Sequence, residues 1–276
     1  MIFPEREARR VVRQALDEDR AFRDITTVSV IPAGLRARAR LVTRQPGVAA
    51  GLVLTKLIFR RLDPRCRVWL RVRDGTRILA GQVLAEIDGK ARALLQGERT
   101  CLNLVARLCG IGTLTSRFVK AAGKRTKILD TRKTSPGLRA LEKYAVRCGG
   151  GVNHRSDLAS AILIKDNHIA LSPDLATAVL RARAVCGSRP VEVETGSLDQ
   201  VREALAVGAE TILLDNMSPA LARKALRLVA RKARTEISGG IVLANIRSYA
   251  ALRPDRISVG ALIHSAPALD LSLELG

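Results

Sequence analysis

Aromatic side chains are scarce in this chain of 276 residues: they make up 3%, with one Trp, two Tyr and four Phe. Proteins that hold single-stranded nucleic acid on stacked bases need a row of aromatic platforms, so the composition argues against that class. Cysteine is sparse too. Cys66, Cys101, Cys109, Cys148 and Cys186 form an odd set without a CxxC pair, which fits reduced, buried thiols rather than a disulfide frame or a zinc site. No apolar run approaches the roughly 20 residues needed to span a bilayer. The N-terminal stretch MIFPEREARR lacks the apolar core of a signal peptide, so a cytoplasmic protein without a membrane span is expected. Negative charge is the last shortage: 26 Asp and Glu stand against 47 Lys and Arg, a net charge of +21.

What is present is ordinary globular material, 47% hydrophobic and 26% charged, and not the composition of a disordered chain. The length suits one large α/β domain, or a barrel with a smaller companion. The excess charge is unevenly spread. Residues 100–155 hold 12 basic and 2 acidic groups, whereas residues 156–276 hold 14 and 13. The basic segment includes most of DTRKTSPGLRALEKYAVRCGGGVNHRSDLASAILIKDNH, residues 130–168. Such a field draws in anions, whether phosphorylated metabolites or nucleic acid. A solvated basic surface is the plain alternative for any charge run.

Along the chain, residues 4–19 place Ala8, Val11, Val12 and Leu16 at helical spacing. DITTVSVIP and ARARLVTRQPGVAAG read as short strands with turns, LTKLIFRRLD as a second amphipathic helix, and CRVWLRVRDG as a strand. GQVLAEIDGKARALL reads as a further strand pair. From Glu98 a long apolar helix is expected, interrupted at Gly110 and Gly112. Six β-rich runs follow, TKILDT, AILIK, PVEVE, ETILLD, TEIS and DRISVG, with helical patterns between them. That alternation implies βαβ units and a parallel sheet, open or closed into a barrel.

The endings of these runs carry the chemistry: Arg132 and Lys133, then Lys165, Glu194, Asp215, Ser238 with Gly239 and Gly240, and Gly260. In a parallel α/β barrel the carboxyl ends of the strands share one face, so these groups would converge. Glu194 and Asp215 either hold a hard cation such as magnesium or cap the helices that follow them. Ser238-Gly239-Gly240 offers bare backbone N–H groups for a phosphate ahead of a helix, or is simply a turn. His154, His168 and His264 have no zinc spacing and read as hydrogen-bonding or loop-supporting residues. Cys148 in RCGGG has no evident base beside it and reads as structural. Cations, two carboxylates and a glycine loop together suggest transfer of a phosphorylated group by positioning and electrostatic stabilisation.

Read in order, GQVLAEIDGKARALLQGERTCLNLVARLCGIGTLT, DTRKTSPGLRALEKYAVRCGGGVNHR, LIKDNHI, VEVE, LLDNM, ISGGI and ISVGALIHSAPALDLSL resemble the quinolinate phosphoribosyltransferases over nearly the whole chain. The resemblance implies an α/β fold of two domains. One is an N-terminal α/β sandwich, residues 1–102, to which residues 268–276 return; the other is an incomplete, seven-stranded α/β barrel, residues 103–267. It implies conversion of quinolinate and 5-phosphoribosyl-1-pyrophosphate, with Mg2+, to nicotinate mononucleotide, pyrophosphate and carbon dioxide in de novo NAD synthesis. By the family's motif, Arg132, His154, Arg155 and Lys165 hold the quinolinate carboxylates, with Arg99 donated across a homodimer interface. Lys133 lies near the pyrophosphate and ribose, Glu194 and Asp215 take the ribose hydroxyls and magnesium, and Ser238, Gly239, Gly240 and Gly260 take the 5-phosphate. ModD-type proteins share the fold and part of the TRKT and HR motifs, but the intact LIKDNHI and LLDNM favour the quinolinate enzymes. Nucleic-acid binding, which would use the high charge, ranks below the enzyme. Three departures stand out: Arg23-Asp24 for a usual Gly-Asp, Ile237 for a small residue, and Ile263 for a threonine.

Overall fold

The first helix, α1 (Glu5–Glu18), forms where the spacing predicts it, and Ala8, Val11, Val12 and Leu16 are all buried on one face. In this computed structural model, residues 2–187 and 189–276 are described. The chain continues through α2 (Ile25–Val30), β1 (Arg36–Thr43), β2 (Gly47–Val48), α3 (Val53–Leu62), β3 (Arg67–Leu70), β4 (Arg77–Ile78), β5 (Val83–Lys90) and the 32-residue helix α4 (Ala91–Ala122). Then come β6 (Lys127–Leu129), α5 (Arg139–Cys148), β7 (Ile162–Ile164), α6 (Asp166–Ala170) and α7 (Leu175–Cys186). They are followed by β8 (Val191–Thr195), α8 (Leu198–Ala206), β9 (Thr211–Asp215), α9 (Pro219–Val229) and β10 (Arg234–Ser238). The chain closes with α10 (Ile246–Ala250), β11 (Arg256–Ser258), α11 (Ala261–His264) and β12 (Leu271–Leu275).

Three local readings are corrected. DITTVSV is helix α2 rather than a strand, because the Asp24 carboxylate accepts the Thr27 amide at 2.9 Å and caps it. GQVLAEIDGKARALL gives one eight-residue strand, β5, and then the start of α4, not two strands. The long helix is not broken at Gly110 and Gly112. A side chain at Gly110 would collide with the Pro267 carbonyl, so the glycine permits close backbone approach within an unbroken helix.

The chain packs as two compact units. The first contains the chain through Ser116, Thr134–Gly150 and Leu262–Gly276. Its antiparallel sheet has the order β12-β1-β5-β3, so the C-terminal strand pairs with β1. Helices α1 and α3 bury apolar faces in this unit, and the side chains of Ile58 and Phe59 are wholly enclosed. Each such side chain contributes roughly 1.5–3 kcal/mol. Residues 103–116, 134–150 and 262–267 also pack here, since α4 runs on without a break well past residue 102.

The second unit, Arg117–Lys133 and Gly151–Ala261, is built on a parallel six-stranded sheet of order β6-β11-β10-β9-β8-β7. All six runs predicted from the sequence are its strands. Val152 adds a single parallel bridge to Leu129 outside β6, which is all that the described residues show of a seventh strand, and hydrogen bonding does not close the sheet. Alternation divides the sheet's residues between two faces. Val191, Val193, Ile212, Leu214, Ile237 and Ile257 share one face and are fully buried. Glu192, Glu194, Asp215, Glu236, Ser238 and Ser258 share the other. Such a polar face inside an α/β layer has a chemical purpose or a large desolvation cost.

Candidate active site

Every sequence-predicted group of the second unit lies at the carboxyl end of its strand. Arg132 and Lys133 follow β6, His154 and Arg155 follow the Val152 bridge, and Lys165 follows β7 directly. Glu194 is the penultimate residue of β8, Asp215 and Ser238 end β9 and β10, and Gly260 lies two residues past β11. Parallel pairing therefore delivers all of them to one edge of the sheet.

Several meet in space. Lys165 Nζ lies 3.0 Å from Glu194 Oε2, which joins a predicted substrate cation to a predicted metal ligand. Asp215 is in register with Ser238, and the Asn216 amide donates to the Ser238 carbonyl at 2.9 Å. Gly239 has φ +93°, and a Cβ there would strike the Asn216 side chain, so only glycine fits. The loop does not run straight into a helix as expected. Helix α10 starts only at Ile246, so any phosphate here meets loop amides and not a helix terminus. Arg155 donates from Nη1 to the Ala161 carbonyl at 3.1 Å. Burial, then the nearby Arg132, pull its guanidinium below the ordinary arginine range, as when cations crowd an anion pocket.

The capping alternative for the two carboxylates is removed. Ser197 caps α8 by accepting the Gln200 amide, and Ser218 caps α9 by accepting that of Leu221. Glu194 and Asp215 are thereby left for other work. Both are part-exposed on the same polar face, and hard oxygen donors of this kind suit magnesium, which takes one or two carboxylates with substrate oxygens and water.

Two functional candidates escaped the sequence reading. Glu192 and Glu236 are buried, at 7% and 0% exposure, and their carboxylates lie 3.3 and 3.4 Å from His154 Nε2. Ser258 Oγ donates to Glu236, and Arg256 approaches the same carboxylate at 3.8 Å. Burial works against a charge on His154, but Glu192 and Glu236 outweigh it and push the imidazole up to about 9. The Arg155 amide, donating to Nδ1 at 2.7 Å, pulls the other way, since only an unprotonated Nδ1 can accept. Both influences agree on a proton at Nε2, between the carboxylates. The alternation VEVE held the clue, because Glu192 shares the face of Glu194.

Residues 24–109 match the family described as quinolinate phosphoribosyl transferase, N-terminal domain, and residues 111–274 its C-terminal domain. The chain belongs to the quinolinate phosphoribosyltransferase family. It is 45% identical to the nicotinate-nucleotide pyrophosphorylase [carboxylating] of Mycobacterium leprae, over 97% of each chain. It is 42% identical to a probable enzyme of that name from Bacillus subtilis, over 94% of this chain and 90% of that one. The crystal structure of NadC from Streptococcus pyogenes superposes with a TM-score of 0.95 at 38% identity, covering 100% of this chain and 99% of that one.

The three departures from the family pattern have simple structural placements. Ile237 is fully buried on the apolar face, opposite in direction to its neighbour Ser238, and Arg23-Asp24 supplies the cap of α2. Ile263, in the first unit, is buried as well, and its carbonyl accepts from Arg107 at 3.3 Å. Cys148 is buried, and burial pushes its thiol up to about 12, which fits the structural reading. His168 supports its own loop, its Nδ1 accepting the Lys165 amide at 2.9 Å. Arg99 is exposed on α4. No helix of the described residues is long and apolar enough to cross a membrane.

Proposed function

We infer that this chain, like the family to which it belongs, converts quinolinate and 5-phosphoribosyl-1-pyrophosphate to nicotinate mononucleotide, pyrophosphate and carbon dioxide, a step of de novo NAD synthesis in the cytoplasm. The observation that carries this reading is the convergence of Arg132, Lys133, Arg155 and Lys165 with Glu194, Asp215 and the Ser238 loop at one edge of a parallel sheet. Quinolinate is a dicarboxylate and its co-substrate carries a phosphate and a pyrophosphate, so the pocket must neutralise several anions at once. Arg132, His154, Arg155 and Lys165 form the quinolinate wall, and arginine's planar fork suits carboxylate bidentately. Arg99 of a second copy completes that wall in a homodimer.

Glu194 and Asp215 would hold magnesium, whose positive charge would offset that of the pyrophosphate, and they receive the ribose hydroxyls. Lys133 lies along the leaving pyrophosphate, and Ser238, Gly239, Gly240 and Gly260 receive the 5-phosphate on backbone amides. As the bond from the ribose carbon to the pyrophosphate oxygen breaks, positive charge develops on the sugar, where the two carboxylates tolerate it. The pyridine nitrogen donates its electron pair to that carbon and becomes a pyridinium. The ring then accepts the electrons of the adjacent carbon–carboxylate bond as carbon dioxide leaves, and the ring carbon takes a proton. No organic cofactor is required.

The decisive assay is purified chain with quinolinate, phosphoribosyl pyrophosphate and magnesium, following nicotinate mononucleotide and carbon dioxide together. Nicotinate in place of quinolinate is the control. Product from nicotinate but not from quinolinate overturns the substrate assignment.

A further inference from the structure

Two buried carboxylates in a pocket for anions need a reason, because they repel the substrate and are costly to dehydrate. Glu236 is the more enclosed, with no exposed surface. Its Oε1 receives the Ser258 hydroxyl and faces His154 Nε2, while Oε2 has no hydrogen-bond partner among the described residues and lies 3.8 Å from Arg256. Glu192 meets the same ring nitrogen from β8. The other ring nitrogen is occupied as well, by the Arg155 amide. Asp130, wholly buried at the end of β6, fixes the backbone by accepting the His154 amide at 2.8 Å and the Asn153 side chain at 2.6 Å. Among the described residues, the charged groups around the histidine include Glu192 from β8, Glu236 from β10 with Arg256 of β11 on it, and Asp130 and Arg155 at its backbone.

We propose that Glu236, assisted by Glu192, is a positioning residue of the quinolinate pocket: it fixes the His154 ring with its proton on Nε2, so that Nδ1 accepts the Arg155 amide and holds that arginine in place. The chemistry follows from the tautomer. Only the Nε2–H form presents an acceptor at Nδ1, and a carboxylate at Nε2 selects that form. His154 then serves the pocket through Arg155 as well as by lining the quinolinate wall. Ser258 and Arg256 hold the Glu236 carboxyl group in place for the task.

The inference rests on the assignment of Arg155 to the quinolinate carboxylates, and the test separates the two. In the full chain, Glu236→Gln keeps the volume and removes the charge. It is expected to raise KM for quinolinate about tenfold, the scale of one lost charged hydrogen bond. KM for phosphoribosyl pyrophosphate and kcat should stay within about twofold. In 15N spectra of histidine-labelled protein, His154 should lose its single Nε2–H form, a change that loss of packing alone does not produce. Arg155→Lys is the control and must raise the quinolinate KM. An unchanged quinolinate KM in Glu236→Gln, with the control responding, overturns the proposal, as does a rise in both KM values together or an unaltered His154 tautomer. If Arg155→Lys is silent too, the assignment of Arg155 fails first and the proposal falls with it. Should Glu236→Gln not fold, Ser258→Ala, read the same way, decides, with a smaller rise in the same KM expected and no change fatal.

Discussion

The two ends of the parallel sheet use the same residue types for opposite purposes. At the amino end, Glu210 accepts the Val191 amide at 2.8 Å and pairs with Arg183 at 3.1 Å. Asp255 accepts both the amide and the hydroxyl of Thr235, at 2.8 and 2.9 Å. These acids complete the hydrogen bonding of the strand entrances. A cavity of about 870 Å³ opens there, lined in part by Glu210, Arg234 and Asp255, yet its acids are engaged in holding backbone. At the carboxyl end the acids face cations instead, and one oxygen each of Glu192 and Glu236 has no hydrogen-bond partner among the described residues. What sets the carboxyl end apart is thus charge not spent on backbone, rather than the volume of a concavity. In α/β folds of this kind the amino ends serve stability and the carboxyl ends serve function.

Substitutions at the two ends should therefore separate activity from stability. The largest effect is expected for Lys133→Ala or Arg155→Ala, each lowering kcat/KM about a hundredfold or more with an unchanged thermal midpoint. A folded variant with near-normal kinetics would remove that residue from the site. At the opposite end, Asp255→Ala should cost about 1–3 kcal/mol of stability by orphaning the Thr235 amide, seen as a drop in Tm, while both KM values hold. A change in KM instead would show that the amino end touches the reaction. Glu194→Gln should lower kcat/KM about tenfold and raise the magnesium concentration giving half-maximal rate; an unaltered magnesium dependence would leave Glu194 only as the partner of Lys165. Smallest is Ser197→Ala, expected to cost about 1 kcal/mol through loss of the α8 cap. It sharpens the contrast because it lies three residues beyond Glu194 and should leave turnover intact, as steady-state assays beside a thermal melt would reveal.

Most of the fold was legible in the sequence because its signals are local. Runs such as ETILLD and TEIS, bounded by amphipathic helices, can only be buried parallel strands, and all six appear. The placement of Arg132, Lys133, Lys165, Glu194, Asp215 and Ser238 at the carboxyl ends of strands was legible too. The errors arose where a local signal was answered from a distance. Gly110 looks like a helix break until the Pro267 carbonyl is set against it. The β-branched run after Asp24 suggests a strand until the carboxylate caps it as a helix.

The sequence by itself determined the six strands of the parallel sheet, the crowding of cations at strand ends and the family, since hydrophobic period, turn chemistry and motif are written in neighbouring residues. Only the tertiary structure decided that Glu192 and Glu236, 44 positions apart in the chain, close on one nitrogen of His154. Strand register is the reason. Hydrogen bonding between β8, β9 and β10 sets which side chains stand level on the polar face, and that alignment depends on pairing between distant segments.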